Sequence, residues 1–182
     1  MQGKQKEQRN KTKKYKKRNT RKMTELVGYK VLSGFIEVED VRRYLESLKD
    51  CEASIIDANF VISMDNVKFA TEKALKSWQE GKNIAKTLPM EILLYAAATR
   101  QIKDALKLGI KEGKNTVYAV LLNCDELPGF KKGDFEKIEP NENQIEKIKE
   151  FYGISDEELE IVGIGRLDLL IRERIALFDI SK

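Results

Sequence analysis

The sequence predicts one α/β domain of the α+β kind: a small, mostly antiparallel sheet packed with about six helices. Three observations carry this. Strand-like runs occur at LVGYKVLSGFIEV, SIIDANFVI and NTVYAVLLN, rich in β-branched and aromatic residues and bounded by turn formers. Between and after them, apolar residues recur at helical spacing. A chain of 182 residues with 41% hydrophobic side chains is also sufficient for one buried core.

Residues 1–22 hold eleven Lys and Arg against one acid, with almost no apolar content. Such a block cannot bury enough surface to order itself, so it reads as a disordered basic arm, and 23–182 as the domain. The arm either clamps phosphate backbones in a salt-dependent way or serves as a solubilising extension; an alternative is that Met23 is the true initiator.

Leu26 to Val38 is one strand, or two with a bend at Ser33-Gly34. Glu39-Asp40 opens a short helix with Val41, Tyr44, Leu45 and Leu48 on one face. Ser54 to Ile62 reads as a second strand, with Asp57 and Asn59 on the side away from Ile56, Ala58 and Phe60. A polar outer face is the commoner explanation of that pair, a binding role the rarer one.

A longer helix starts near Ser63 to Asp65, where short oxygen-bearing side chains can accept free amides. It carries Val67, Ala70, Ala74 and Trp78 on one stripe and stops at Gly81. Trp78 fits core packing better than base stacking because it lies on that stripe. The connector from Gly81 to Leu88 bears Lys82, Asn83 and Lys86. Pro89 suits the first turn of the following, nearly all-apolar helix. Glu91 there is explained by the helix dipole and free amides, ahead of any catalytic role.

Thr99 is placed as the cap of a third helix, with Arg100 and Gln101 in its first turn. A cation there opposes the helix dipole. Two readings stand equally: an anion binds at this point, collecting amides and guanidinium together, or Arg100 pairs with a carboxylate such as Glu91.

Asn115 to Asn123 is a central strand, continuously apolar from Val117 to Leu122. Cys124 to Pro140 reads as loop with one short edge strand. Asn143 to Tyr152 is a helix; Ser155 and Glu158 form a capping box for another. After Gly163 and Gly165, the stripe Leu167, Leu170, Ile171, Ile175 and Phe178 marks a last helix. Gly163-Ile164-Gly165 is no phosphate loop, lacking the third glycine and the preceding strand. Arg166, Arg172 and Arg174 are expected in solvent; Leu170, Ile171 and Arg174 are the candidates for meeting a protein partner.

Several function classes are excluded or disfavoured. The chain has no histidine, so no His-based general base, catalytic triad or His-ligated zinc is available. Glu91 and Asp57 would have to converge in a pocket for carboxylate chemistry. No catalytic or metal site, cofactor or small-molecule substrate is expected. No apolar run spans a membrane and no signal-peptide core is visible, which points to a cytoplasmic protein. Cys51 and Cys124 are accordingly expected as reduced, buried thiols. The Lys-, Glu- and Ile-rich composition fits a heat-adapted source.

Charge is segregated along the chain. Asn66 to Leu108 has eight cations against four anions, whereas Asp125 to Glu160 has twelve acids against five lysines. Solvated surfaces usually mix the signs, so the central region is the candidate contact for an anionic partner, RNA in particular. Lys82, Asn83, Lys86, Arg100 and Gln101 are the residues chosen on physical grounds.

The segments VKFATEKALKSW, GKNIAKTLPMEILLYAAATRQIKDALKLGI and ISDEELE…RERIALFDI resemble the small PRPK-binding (TPRKB-like) subunit family of the KEOPS/EKC complex. The likeness is clearest over Ile55 to Ile110 and Tyr152 to Ile180. Ala96-Ala97-Ala98 is smaller than the family pattern, and the basic arm lies outside it. The resemblance implies a non-catalytic subunit that binds the KEOPS kinase/ATPase and captures the 3′ CCA end of tRNA, supporting threonylcarbamoylation of an anticodon-loop adenosine by other subunits. The alternative is a protein-only adaptor or kinase regulator with no RNA binding of its own.

Overall fold

A computed structural model describes residues 28–182; the expected basic arm, and the first two residues of the expected strand from Leu26, lie outside them. Among the described residues the elements run β1 (Lys30–Val38), α1 (Val41–Ser47), β2 (Ala53–Asp57), α2 (Ala58–Val61), α3 (Met64–Gln79), α4 (Leu88–Ala96), α5 (Ile102–Ala105), β3 (Gly113–Leu121), β4 (Lys131–Lys132), α6 (Glu142–Tyr152), α7 (Asp156–Val162) and α8 (Leu167–Ser181). Short 3-10 turns follow α5 and precede α8. Of the eight helices, α2 and α5 are four-residue pieces, too short to show periodicity in sequence.

The sheet has the order β2-β3-β1-β4 and is antiparallel throughout. β1 pairs with β3 from Lys30↔Leu121 to Val38↔Gly113, without a bend. Gly34 is required by close approach: a Cβ there would lie 2.4 Å from the Lys131 carbonyl oxygen and from the Phe130 ring. β3 is central, and Val117 to Leu121 are buried because both sheet faces are covered.

One face carries Ile56, Tyr118 and Val120 under α3, α4 and α8; Val67, Ile92 and Ile171 belong to the same core. The opposite face, with Ile36, Val38, Ile55 and Val117, is closed by α1 and by Leu127 and Phe130 of the loop after β3. No helix among the described residues is long and apolar enough to cross a membrane.

Three expectations are corrected. The second strand stops at Asp57 rather than running to Ile62, because the Asp57 carboxylate accepts from the Asn59 amide at 2.9 Å and starts α2. Asp57 and Asn59 are therefore a helix cap, not a strand face. Cys51 and Cys124 form a disulfide, with Cα atoms 5.1 Å apart. Cys51 precedes β2 and Cys124 follows β3, and the antiparallel register Ala53↔Leu121 carries the two strand ends side by side. A sequence separation of 73 conceals that neighbourhood. Finally, Arg100 does not lie in a helical first turn. α4 ends at Ala96, the Thr99 amide bonds back to the Leu94 carbonyl at 3.1 Å, and Ala98 takes a left-handed φ of 50°. Gln101 is the cap residue of α5, and Arg100 precedes it on an exposed bend.

Candidate functional site

The central basic region is organised around a buried carboxylate. α3 closes through Glu80, and Gly81 turns the chain at φ +70° into the connector 82–87. That connector has neither helix nor strand, so its amides need other partners. Glu91, fully buried in the first turn of α4, supplies them: its Oε2 accepts from the Ile84 amide at 2.9 Å and the Ala85 amide at 2.8 Å. Its Oε1 accepts from Ser77 Oγ at 3.4 Å and from Lys182 Nζ at 2.8 Å. The sequence predicts free amides at Glu91, and the amides it accepts from are those of Ile84 and Ala85 in the connector rather than those of its own helix start.

Lys182 is 8% exposed at its side chain. It also contacts Ser77 Oγ, donates to the Tyr95 hydroxyl at 2.9 Å and sits 4.6 Å from that ring's centroid. Burial alone would lower its pKa, but Glu91 and Tyr95 outweigh it, and the ammonium is held above the usual lysine range. The Tyr95 hydroxyl in turn donates to Asp179 Oδ1 at 3.0 Å, and Lys73 pairs with Asp179 Oδ2 at 2.9 Å. Burial pushes the Asp179 carboxyl up, yet the Lys73 and Tyr95 hydrogen bonds prevail and hold it below its ordinary value. The end of α8 is thereby bolted to the connector and to α4.

Over this network lies a cleft of about 810 Å³ with Lys82, Asn83 and Arg100 on its wall beside Lys182 and Asp179. Three of the five residues chosen from sequence thus share one cavity. Lys86 and Gln101 are exposed but lie outside its lining. Lys82 pairs with Glu80 at 2.8 Å. That pair is open to solvent, and exposed pairs of this kind hold little net energy, so a phosphate can take the place of Glu80. Asn83 donates its side-chain amide to the Ala85 carbonyl at 2.8 Å, shaping the connector. Arg100 has no ion pair with any described residue; the expected Glu91 partner is held by Lys182 instead. Lys76 and Lys182 also line the cleft. Sequence reasoning missed Lys182, since nothing in its local pattern marks it as a neighbour of residues near position 80.

The residues expected at a partner surface are placed differently. Leu170 and Ile171 are 5% and 0% exposed and belong to the core. Their stripe was assigned correctly as apolar, but packing against the helical layer takes it out of reach of any partner. Arg174 is not in solvent: it donates to the Tyr152 and Gly153 carbonyls at 3.1 and 2.9 Å and pairs with Glu158 at 2.7 Å, fastening α6 to α7. Arg172 donates to Asn66 Oδ1 at 3.2 Å and lies over the Phe69 ring. The exposed apolar residues of α8 are instead Leu169, Leu177 and Ile180; Ile161 of α7 and Ile164 of the turn before α8 are exposed as well.

Asp57 and Glu91 share no partner: Asp57 caps α2 and pairs with Lys111 at 3.2 Å, whereas Glu91 holds the connector. Neither has the paired environment that carboxylate catalysis needs.

Fold and site together define a small α+β domain whose polar feature is a cation-lined cleft beside a tightly pinned last helix. The chain belongs to the CGI-121 family, described as kinase binding protein CGI-121, which it matches over residues 35–179. It is 42% identical over 69 residues to the KEOPS complex subunit Cgi121 of Pyrococcus abyssi, a match covering 36% of this chain and 40% of that protein. To the regulatory protein Cgi121 of Methanocaldococcus jannaschii it is 31% identical over 137 residues, covering 70% of this chain and 83% of that protein. The resemblance to TPRKB-like KEOPS subunits is therefore one of family membership.

Proposed function

We propose that this chain is a non-catalytic subunit of a KEOPS-type tRNA-modifying assembly, binding its kinase/ATPase subunit and holding the 3′ CCA end of tRNA. The observation that carries the RNA half is the shared cleft of Lys82, Asn83 and Arg100, with Arg100 exposed and lacking an acidic partner among the described residues. A single-stranded end is bound by charge along its backbone and by stacking of its bases on aromatic rings or guanidinium planes. The cleft has four cations against Glu80 and Asp179 on its wall, and the exposed Arg100 guanidinium is the planar group on which a base can stack. Lys86 and Gln101 lie outside the lining, one on the connector and the other as the cap residue of α5.

The kinase half is supported by the family description and by the name of the Pyrococcus relative. Leu169, about half exposed, lies on the side of α8 opposite the buried Ile171 and Phe178 and marks its outward edge, with the half-exposed Leu177 bordering that edge beside Leu170. That outer edge is the reading that replaces the buried pair as the partner surface.

Gel shifts with tRNA that has or lacks its CCA terminus test the RNA half. Arg100→Glu is expected to lower affinity at least tenfold, and removal of CCA to do the same. Equal affinity for both tRNAs, or an unchanged Arg100→Glu variant, removes the RNA reading and leaves the protein-only adaptor. Leu169→Glu is expected to abolish co-purification with the kinase subunit while leaving tRNA binding intact; undiminished co-purification rejects the α8 edge.

A further inference from the structure

A second groove lies on the other side of the 97–100 turn. It has a volume of about 570 Å³ and is lined by Phe60, Thr99, Lys107, Lys111, Lys147 and Phe151, with Asp104 and Glu150 as its acids. That volume is within the range of small-ligand sites. α2 supplies Phe60 and α6 supplies Phe151 and Lys147, while Lys107 and Lys111 flank the turn before β3.

The two rings are 5.3 Å apart and inclined at 60°, and both are half-buried, so an apolar wall is open to the groove. Lys111 Nζ lies 5.2 Å from the Phe60 centroid while pairing with Asp57, and is thereby held at the ring. Lys107 pairs with Asp104 at 2.9 Å. Lys147 is exposed and has no ion pair with a described residue. Aromatic wall, neighbouring cations and one-residue size together match a nucleotide: a base against the rings, a phosphate at the lysines.

The two clefts are joined through the turn. Arg100 faces the first and Thr99 the second. A shallow depression of about 240 Å³, walled by Ala97, Ala98, Phe151 and Ser181, lies along the same turn. Small side chains at Ala97 and Ala98 keep it low.

We infer that the Phe60–Phe151 groove holds a further nucleotide of the same single-stranded RNA, its base on the two rings and its phosphate at Lys147 and Lys107. The assignment rests on the RNA reading above and extends it to a second subsite.

The test is fluorescence anisotropy of the full-length protein with two labelled oligoribonucleotides, the trinucleotide CCA and an octanucleotide ending in CCA. The wild type is expected to bind the octamer at least tenfold more tightly than the trimer. Lys147→Glu, on an exposed helical position, is expected to remove that gain and leave the trimer unchanged. Phe151→Ala should act similarly, and Lys147→Glu keeps the test valid if that variant fails to fold. Arg100→Glu is expected to weaken both ligands, which separates failure of the first cleft from failure of the second. A full length-dependent gain in Lys147→Glu, or none in the wild type, overturns the subsite. Free AMP carries the same chemistry: AMP bound as tightly as the octamer, and lost in Lys147→Glu, identifies a free nucleotide as occupant and overturns the RNA assignment.

Discussion

Glu91 and Lys182, 91 positions apart in sequence, meet at 2.8 Å, both nearly or fully out of water. The pair joins the connector that carries Lys82 and Lys86 to the end of α8, the helix whose outer edge is proposed to meet the kinase. Neither segment has regular backbone partners at this point, so a side-chain ion pair with Ser77 and Tyr95 around it holds them in register. Removing one member of such a buried pair leaves an uncompensated charge and costs about 3–5 kcal/mol.

Glu91→Ala is expected to lose stability on that scale, because two backbone amides and the Lys182 ammonium all lose their acceptor. Lys182→Ala should cost less, since the Glu91 carboxylate keeps the Ile84 and Ala85 amides. Urea denaturation of both singles and the double variant measures the coupling. The double variant should be more stable than the summed single losses imply; strict additivity contradicts the arrangement.

The Asp179 carboxyl is held below its ordinary 3.8 by Lys73 and Tyr95 against the upward push of burial. A depressed folded-state pKa contributes stability that is fully present above the unfolded value and lost as pH falls through the folded one. Stability is thus expected to fall on acidification below 3.8, and Asp179→Asn to flatten that part of the profile. Lys182, raised in the fold, acts oppositely: its contribution is complete below 10.5 and lost as pH climbs through its higher folded value. Denaturation midpoints across pH for the wild type and Asp179→Asn check both signs. An Asp179→Asn profile parallel to the wild type in acid rejects the assignment.

The Cys51–Cys124 disulfide closes a loop of 73 residues. A cross-link of that span restricts the unfolded chain by about 4 kcal/mol in the loop-entropy account. Cys51→Ser, or reduction by dithiothreitol, is expected to lower the denaturation midpoint accordingly without moving the cleft residues. An unchanged midpoint on reduction would mean that the cross-link contributes nothing in solution.

Gly34 has no room for a methyl group beneath Lys131 and Phe130. Gly34→Ala is expected to displace β4 and its loop at a cost of about 1–3 kcal/mol, typical of overpacking. Amide hydrogen exchange should increase at Lys131 and Lys132 while β3 stays protected. Unaltered exchange in β4 would show that the loop yields without loss.

The long elements were legible because burial writes itself into the residue pattern. α3, the apolar α4, β3 and the stripe of α8 all have periods that sequence displays directly. Both capping boxes of the C-terminal half also depend on neighbours three residues apart; for α7 the sequence named the pair, Ser155 and Glu158. The four-residue helix α2 is missed for the converse reason, while α5 is expected from Ile102 and Ala105 but starts after Gln101 rather than at Thr99. One turn has no measurable period, and a local side-chain bond at Asp57 decides between strand and helix.

By itself the chain's order of residues determined the α+β class, the central strand, the absence of histidine chemistry, and a cationic middle that holds Lys82, Asn83 and Arg100. Tertiary packing alone decided which cations share a cleft, that Glu91 answers to Lys182 and not to Arg100, that Cys51 reaches Cys124, and that Leu170, Ile171 and Arg174 face inward. These are contacts between residues tens of positions apart. They depend on strand register and on the angle at which helices cross, and neither quantity leaves a period in the sequence.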